Sequence, residues 1–239
     1  MQEKYDTQIQ TAEAVVDPFD PKTFASPAIM SESSGTESKR LQVLVFDMGH
    51  VFVDFDWEVV CAGFCGVSKK TRDELRQVLA HCATLGYESG KIDTAGFLAE
   101  LNKGLGTNLS ISEFKELWNA SFHENQEMAE LLCTLKEQVP LYLLSNTNEI
   151  HYDFLNDTFN VSRHFNELIL SYKVGHSKPA HPIYHEVMRR SGLPADKHLF
   201  VDDLAPNIRA AQEVGLNTIH FQGASDLKER LSKFGFRVK

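Results

Sequence analysis

Asp47, the pair Ser145-Asn146, Lys178 and the pair Asp202-Asp203 are the residues of this 239-residue chain whose types and settings suit chemistry best. Asp47 closes the apolar run from Leu41 to Phe46, as a buried parallel strand would deliver a carboxylate at its C-terminal edge. A strand followed by Asp is also how many α/β domains enter an ordinary loop. Ser145-Asn146-Thr147 follow the apolar run Leu141 to Leu144. Hydroxyl and amide groups there can ligate an anion together with backbone N–H groups, or merely cap the next helix. Lys178 stands just before a helix predicted to start near Pro182. A cation at a helix start faces positive partial charge unless an anion lies between them, although surface lysines are common. Asp202 and Asp203 end the run Leu199 to Val201, and adjacent acids repel unless a cation or proton intervenes. That pair hints at a metal.

The elements that must position these groups are legible as alternating strands and helices. Further apolar runs lie at Leu168 to Leu170 and Asn217 to Phe221, and amphipathic stretches at Glu127 to Gln138, Asn207 to Val214 and Ser225 to Phe234. The alternation predicts an α/β fold, a doubly wound parallel Rossmann-like sheet whose ligand site lies outside the carboxyl ends of its strands. Gly49, two residues after Asp47, is expected to let the backbone turn tightly or approach a ligand.

Between the first and second strands of this sheet comes a mostly helical block, about Trp57 to His123. Ser68 is read as the N-cap of a helix carrying Leu75, Val78, Leu79 and Cys82. Gly86 and Gly90 bracket a turn before Phe97, Leu98 and Leu101, and Ser112 precedes Phe114, Leu117, Trp118 and Phe122. An insertion so placed is a candidate lid over Asp47, or one more helical layer on the sheet. The expected organisation is a disordered tail at 1–40, a core from 41–56 and 124–239, and a helical cap at 57–123. The tail is polar and carries Pro18, Pro21 and Pro27, so a polypeptide beginning near Glu37 is expected to fold and act normally.

A net charge of -9 argues against nucleic-acid or anionic-membrane partners, whose phosphates favour basic surfaces. Four cysteines, no apolar signal-peptide run and no transmembrane-length stretch point to a reducing cytoplasm. Cys61 and Cys65 share a helix face, but small buried thiols explain them better than a metal site. His176, His181 and His185 are read as solvated residues.

Taken in order, an aspartate, a Ser, a Lys and an acidic pair at four successive strand ends resemble the haloacid dehalogenase-like (HAD) superfamily. FDMGHVFVDFD, YESGKIDTAGF and LFVDDLAPNI are similar to its bacterial α-D-glucose-1-phosphate phosphatase branch, the last also to the phosphatase domain of soluble epoxide hydrolases. The resemblance implies a Mg²⁺-dependent phosphatase acting on a small phosphorylated metabolite, with a sugar phosphate expected. Asp47 would be the nucleophile, forming an aspartyl-phosphate. Asp47, the Gly49 carbonyl and Asp203 would hold Mg²⁺ with Asp202 beside them, Ser145, Asn146 and Lys178 would bind the phosphoryl oxygens, and Asn207 would support the site from behind.

Most phosphatases of the superfamily carry a second aspartate where this chain has Gly49, which puts the proton donor in doubt. His50, the adjacent imidazole, is the candidate replacement. A catalytically weak phosphate- or metal-binding regulatory protein on the same fold is the alternative. A dehalogenase is disfavoured by the acidic pair, and a receiver domain by that pair coming last.

Overall fold

All four residues of VLVF at Val43–Phe46 are buried, and this strand, β1, is the centre of the sheet. The computed structural model describes residues 41–238, so the expected tail at 1–40 lies outside the described residues. After β1 come a short strand, β2 (Val53–Phe55), and four helices, α1 (Trp57–Ser68), α2 (Arg72–Ala83), α3 (Thr94–Leu105) and α4 (Ile111–Trp118). Then β3 (Phe122–Glu124) leads into α5 (Gln126–Lys136), β4 (Leu141–Ser145), α6 (Glu149–Phe159), β5 (Glu167–Leu170), α7 (Ser171–Val174) and α8 (His181–Ser191). The chain closes with β6 (His198–Asp202), α9 (Ala205–Glu213), β7 (Asn217–His220) and α10 (Ala224–Lys233).

The main sheet is parallel, in the order β5-β4-β1-β6-β7. Side chains alternate across each strand, so one apolar repeat feeds two cores. Leu44, Phe46, Leu143 and Val201 pack with Leu131, Leu135, Leu227 and Leu231 on one face. Val43, Val45, Leu144 and Phe200 meet Ile183, Tyr184, Val187 and Ile208 on the other. Helices thus cover both faces, the doubly wound α/β arrangement, and each large apolar side chain so buried contributes about 1.5–3 kcal/mol.

Helices α1 to α4 have an apolar cluster of their own, built around Phe64, Leu75, Leu101, Leu105, Phe114 and Trp118, to which α6 contributes Ile150. Two expectations change here. Ser68 is the last residue of α1, its hydroxyl donating to the Phe64 carbonyl at 2.6 Å, and the N-cap of α2 is Thr71. Thr71 and Glu74 form a reciprocal capping box, a Thr-x-x-Glu signal the chain carries in plain sight. Phe122, expected on a helix, instead starts β3, which pairs antiparallel with β2. Three-residue strands are too short to leave a period in the sequence, so this ribbon forms only when the insertion closes back on the core.

Candidate active site

Strands β4, β1 and β6 are neighbours, and adjacent strands in a sheet lie about 4.8 Å apart. Their carboxyl ends therefore bring Ser145-Asn146, Asp47 and Asp202-Asp203 to one place although about 155 residues of chain separate the first from the last. The Asp47 N–H donates to the Val201 carbonyl at 2.9 Å, carrying the β1–β6 pairing one residue past the strand and fixing the Asp47 backbone.

Lys178 reaches the same place from the loop between α7 and α8. Its ammonium lies 2.6 Å from Asp47 Oδ1 and 2.7 Å from Asp202 Oδ2, with its side chain 1% exposed and the Phe200 ring beneath it at 5.6 Å. Asn146 holds that loop. Its Nδ2 donates to the Lys178 carbonyl at 2.8 Å, and its Oδ1 accepts from the Lys178 N–H at 2.7 Å. The carboxamide is thus spent on this loop.

The three acids differ in how they are held. Asp202 is fully buried and saturated, Oδ1 accepting from the Leu204 N–H at 2.8 Å and both oxygens from Asn207 Nδ2 at 3.0 and 3.1 Å. Asn207 is fixed in turn by Tyr184, whose hydroxyl donates to the Asn207 carbonyl. On Asp47, Oδ1 takes the Met48 N–H at 2.7 Å as well as Lys178, and no hydrogen bond from the described residues falls on Oδ2. Asp203 is partly exposed, its carbonyl 2.8 Å from His220 Nε2.

Carboxyl oxygens of Asp47, Asp202 and Asp203 all lie within 4.8 Å of one another. Burial pushes the Asp47 carboxyl up to about 8, with Asp202 and Asp203 adding to the shift and Lys178 opposing it. Asp203 is also raised, by burial and then by Asp202. Burial works against the Lys178 charge, but Asp202 and Asp47 outweigh it and hold its proton more firmly than usual. One lysine faces three acids, and a divalent cation among them would supply the missing positive charge. The donor set suits a hard, oxygen-seeking ion such as Mg²⁺.

The turn after Asp47 is tight, and His50 takes its left-handed position. Gly49 does not occupy the left-handed region, which falls to His50 at φ 52°. Val53 bonds the residues on either side of Gly49, accepting from the His50 N–H at 2.7 Å and donating to the Met48 carbonyl at 2.9 Å. The Gly49 carbonyl is left outside these bonds, open to another partner. His50 stacks on Phe55 with centroids 4.3 Å apart, its Nδ1 3.8 Å from Asp54 Oδ1, and its side chain is about half exposed at the rim beside Asp203.

Two residues of the site were not singled out by sequence reasoning. His220 was invisible because only the β6–β7 register sets it beside the Asp203 backbone. Glu88, in the turn between α2 and α3, is exposed to water, yet the protein around it raises its carboxyl while Lys178 acts on it in the opposite sense. The signal that could have found it is the turn bracketed by Gly86 and Gly90.

Comparison with known proteins follows the same lines. A D-ribitol-5-phosphate phosphatase of Bacteroides thetaiotaomicron is 27% identical over 197 residues, covering 79% of this chain and 96% of the relative. Flavin mononucleotide hydrolase 1, chloroplastic, of Arabidopsis thaliana is 26% identical over 216 residues, 87% of this chain and 85% of that protein. A crystal structure of a HAD family enzyme from Bacteroides thetaiotaomicron superposes with a TM-score of 0.73 at 26% identity, covering 80% of this chain and 98% of its own. The wild-type protein in complex with magnesium and inorganic phosphate gives 0.68 at 26% identity, over 75% and 93% of the two chains. Residues 41–215 match the family model for haloacid dehalogenase-like hydrolase, and the chain belongs to that family.

Proposed function

We propose that the chain is a Mg²⁺-dependent phosphatase that hydrolyses a small phosphate monoester, a sugar phosphate, through an aspartyl-phosphate. The observation that carries this reading is the cluster of Asp47, Asp202 and Asp203 with Lys178 buried against two of them. Asp47, the Gly49 carbonyl and Asp203 would hold the ion, with Asp202 fixed beside them as the anchor of Lys178. When bound, Mg²⁺ supplies positive charge against the phosphoryl oxygens and the surrounding carboxylates. The Asp47 oxygen left without a hydrogen-bond partner, Oδ2, attacks phosphorus, and Asp47 later leaves as water takes its place. Lys178 stabilises the charge gathered on the transferring group, while the Ser145 hydroxyl and the Asn146 N–H steady its non-bridging oxygens.

Helices α1 to α4 act as a cap in this reading, choosing the substrate and shielding the reaction from water. A sugar or polyol phosphate is supported by the relative named for ribitol 5-phosphate, and small-molecule scale by the insertion above the strand ends. Among the described residues no helix is long and apolar enough to cross a membrane. The net charge of -9 disfavours nucleic acid, and four free thiols support a cytoplasmic home. The absence of a carboxylate at position 49 is what favours the second reading, a weakly catalytic phosphate- or metal-binding regulator. A phosphate-release screen over sugar phosphates, nucleotides and acyl phosphates, with and without Mg²⁺, decides between the two. Turnover that needs Mg²⁺ and vanishes in Asp47→Asn upholds the enzyme, and no turnover of any ester overturns it.

A further inference from the structure

The phosphatase reading leaves one proton unassigned, because the residue two places after the nucleophile is Gly49. The turn joining α2 to α3 lies where a replacement is needed. Two anchors fix it on the core. The Gly90 backbone is pressed against α7, so closely that a Cβ there would come 2.2 Å from the Tyr172 carbonyl oxygen. On the other side, the Tyr87 hydroxyl lies 2.9 Å from that of Thr94, which donates to Glu149 at the start of α6 at 3.2 Å. Helices α6 and α7 directly follow β4 and β5, so the turn stands over the strand ends that carry the site. Glu88 lies between Tyr87 and Gly90, and Lys178 is the charged group that acts on its carboxyl.

We infer that Glu88 contacts the departing alcohol of the substrate and serves as its proton donor, in place of the carboxyl missing at position 49. With the phosphoryl group held between Asp47 and Lys178 in the core, the leaving group projects toward the insertion and this turn. As the Asp47 oxygen bonds to phosphorus and the phosphorus–alcohol bond breaks, the carboxylic acid of Glu88 gives its proton to the alcohol oxygen. In the second half, the resulting carboxylate takes a proton from the attacking water as the Asp47–phosphorus bond breaks, and Glu88 returns to its starting state. The protein around Glu88 raises its carboxyl, against the pull of Lys178, and a raised carboxyl keeps its proton better than a free one. His50, the other candidate, is occupied by Phe55 and Asp54 at the rim beside Asp203.

The inference rests on the phosphatase reading, and the substrates chosen separate the two. Purified full-length protein with Mg²⁺ is assayed on 4-nitrophenyl phosphate, whose leaving group departs without help, and on primary sugar phosphates, whose alkoxide needs a proton. Glu88→Gln is expected to lose about 10²-fold or more in kcat/KM on the primary esters, as removing a general acid does, and little on the aryl ester. Glu88→Asp should restore part of the loss. So should Gly49→Asp in the Glu88→Gln background, since a Cβ at Gly49 meets only the Phe55 ring edge, at 3.4 Å. Equal losses on both ester types, no loss on either, or a native enzyme active on aryl but not alkyl esters would each overturn the role of Glu88. A native enzyme inactive on every ester fails earlier, at the phosphatase reading.

Discussion

Asn146 grips Lys178 by both backbone groups, donating to its carbonyl at 2.8 Å and accepting from its N–H at 2.7 Å, and thereby sets where the Lys178 ammonium can reach. Asn146→Ala removes both bonds, each contributing about 0.5–1.5 kcal/mol. If the ammonium acts on the transferring phosphoryl group as proposed, the loss should appear mainly in kcat, with KM changed less. Steady-state kinetics checks this. Asn146→Asp, which keeps the acceptor and loses the donor, should fall between the two.

Lys178 is a buried cation with two carboxylate partners, so deleting its charge leaves Asp47 and Asp202 facing each other without it. Lys178→Met should abolish turnover and lower the free energy of unfolding by about 3–5 kcal/mol in metal-free protein. Adding Asp202→Asn to that variant should recover part of the stability and none of the activity. Urea titration of the parent, Lys178→Met, Asp202→Asn and the double variant gives the coupling directly.

The Asp47 carboxyl is raised to about 8 by burial and by its acidic neighbours, against an ordinary value of 3.8. A carboxyl raised on folding contributes its full stability below the unfolded value and loses it as pH climbs through the folded one. Asp47→Asn, which cannot ionise, should therefore gain stability over the parent across pH 4 to 8 and hold that advantage above. The slope approaches about 1.4 kcal/mol per pH unit in metal-free protein. Thermal melts of the pair in EDTA test this, and a difference flat with pH would contradict it. Mg²⁺, by replacing the proton, should shrink the gap.

In the proposed mechanism Asp203 serves metal binding and Ser145 phosphoryl binding, so variants of the two should separate these steps. Asp203→Ala should weaken Mg²⁺ binding sharply, so that activity returns only at much higher Mg²⁺. Ser145→Ala removes one hydrogen bond to a charged group, worth about 1.5–3 kcal/mol, and should leave the Mg²⁺ midpoint where it was. Activity measured against Mg²⁺ concentration distinguishes them, and EDTA should silence both variants and the parent.

The sequence by itself determined the parallel core and the order in which Asp47, Ser145, Lys178 and Asp202-Asp203 reach its edge. Strands buried on both faces must be continuously apolar, and a polar residue at the end of such a run marks where the strand leaves the core. Local chemistry also decided the helix starts, where Thr71 and Ser110 close capping boxes with Glu74 and Glu113. Tertiary structure decided everything that depends on partners distant in the chain. Asn146 pairs with Lys178 across 32 residues, and the β2–β3 ribbon joins segments with four helices between them. His220 finds the Asp203 backbone through sheet register alone, and the turn carrying Glu88 meets the core where Gly90 packs on Tyr172. A carboxylate in a surface turn and one poised over an active site look alike in sequence, since what separates them is the charge and the low-dielectric wall that folding sets beside them.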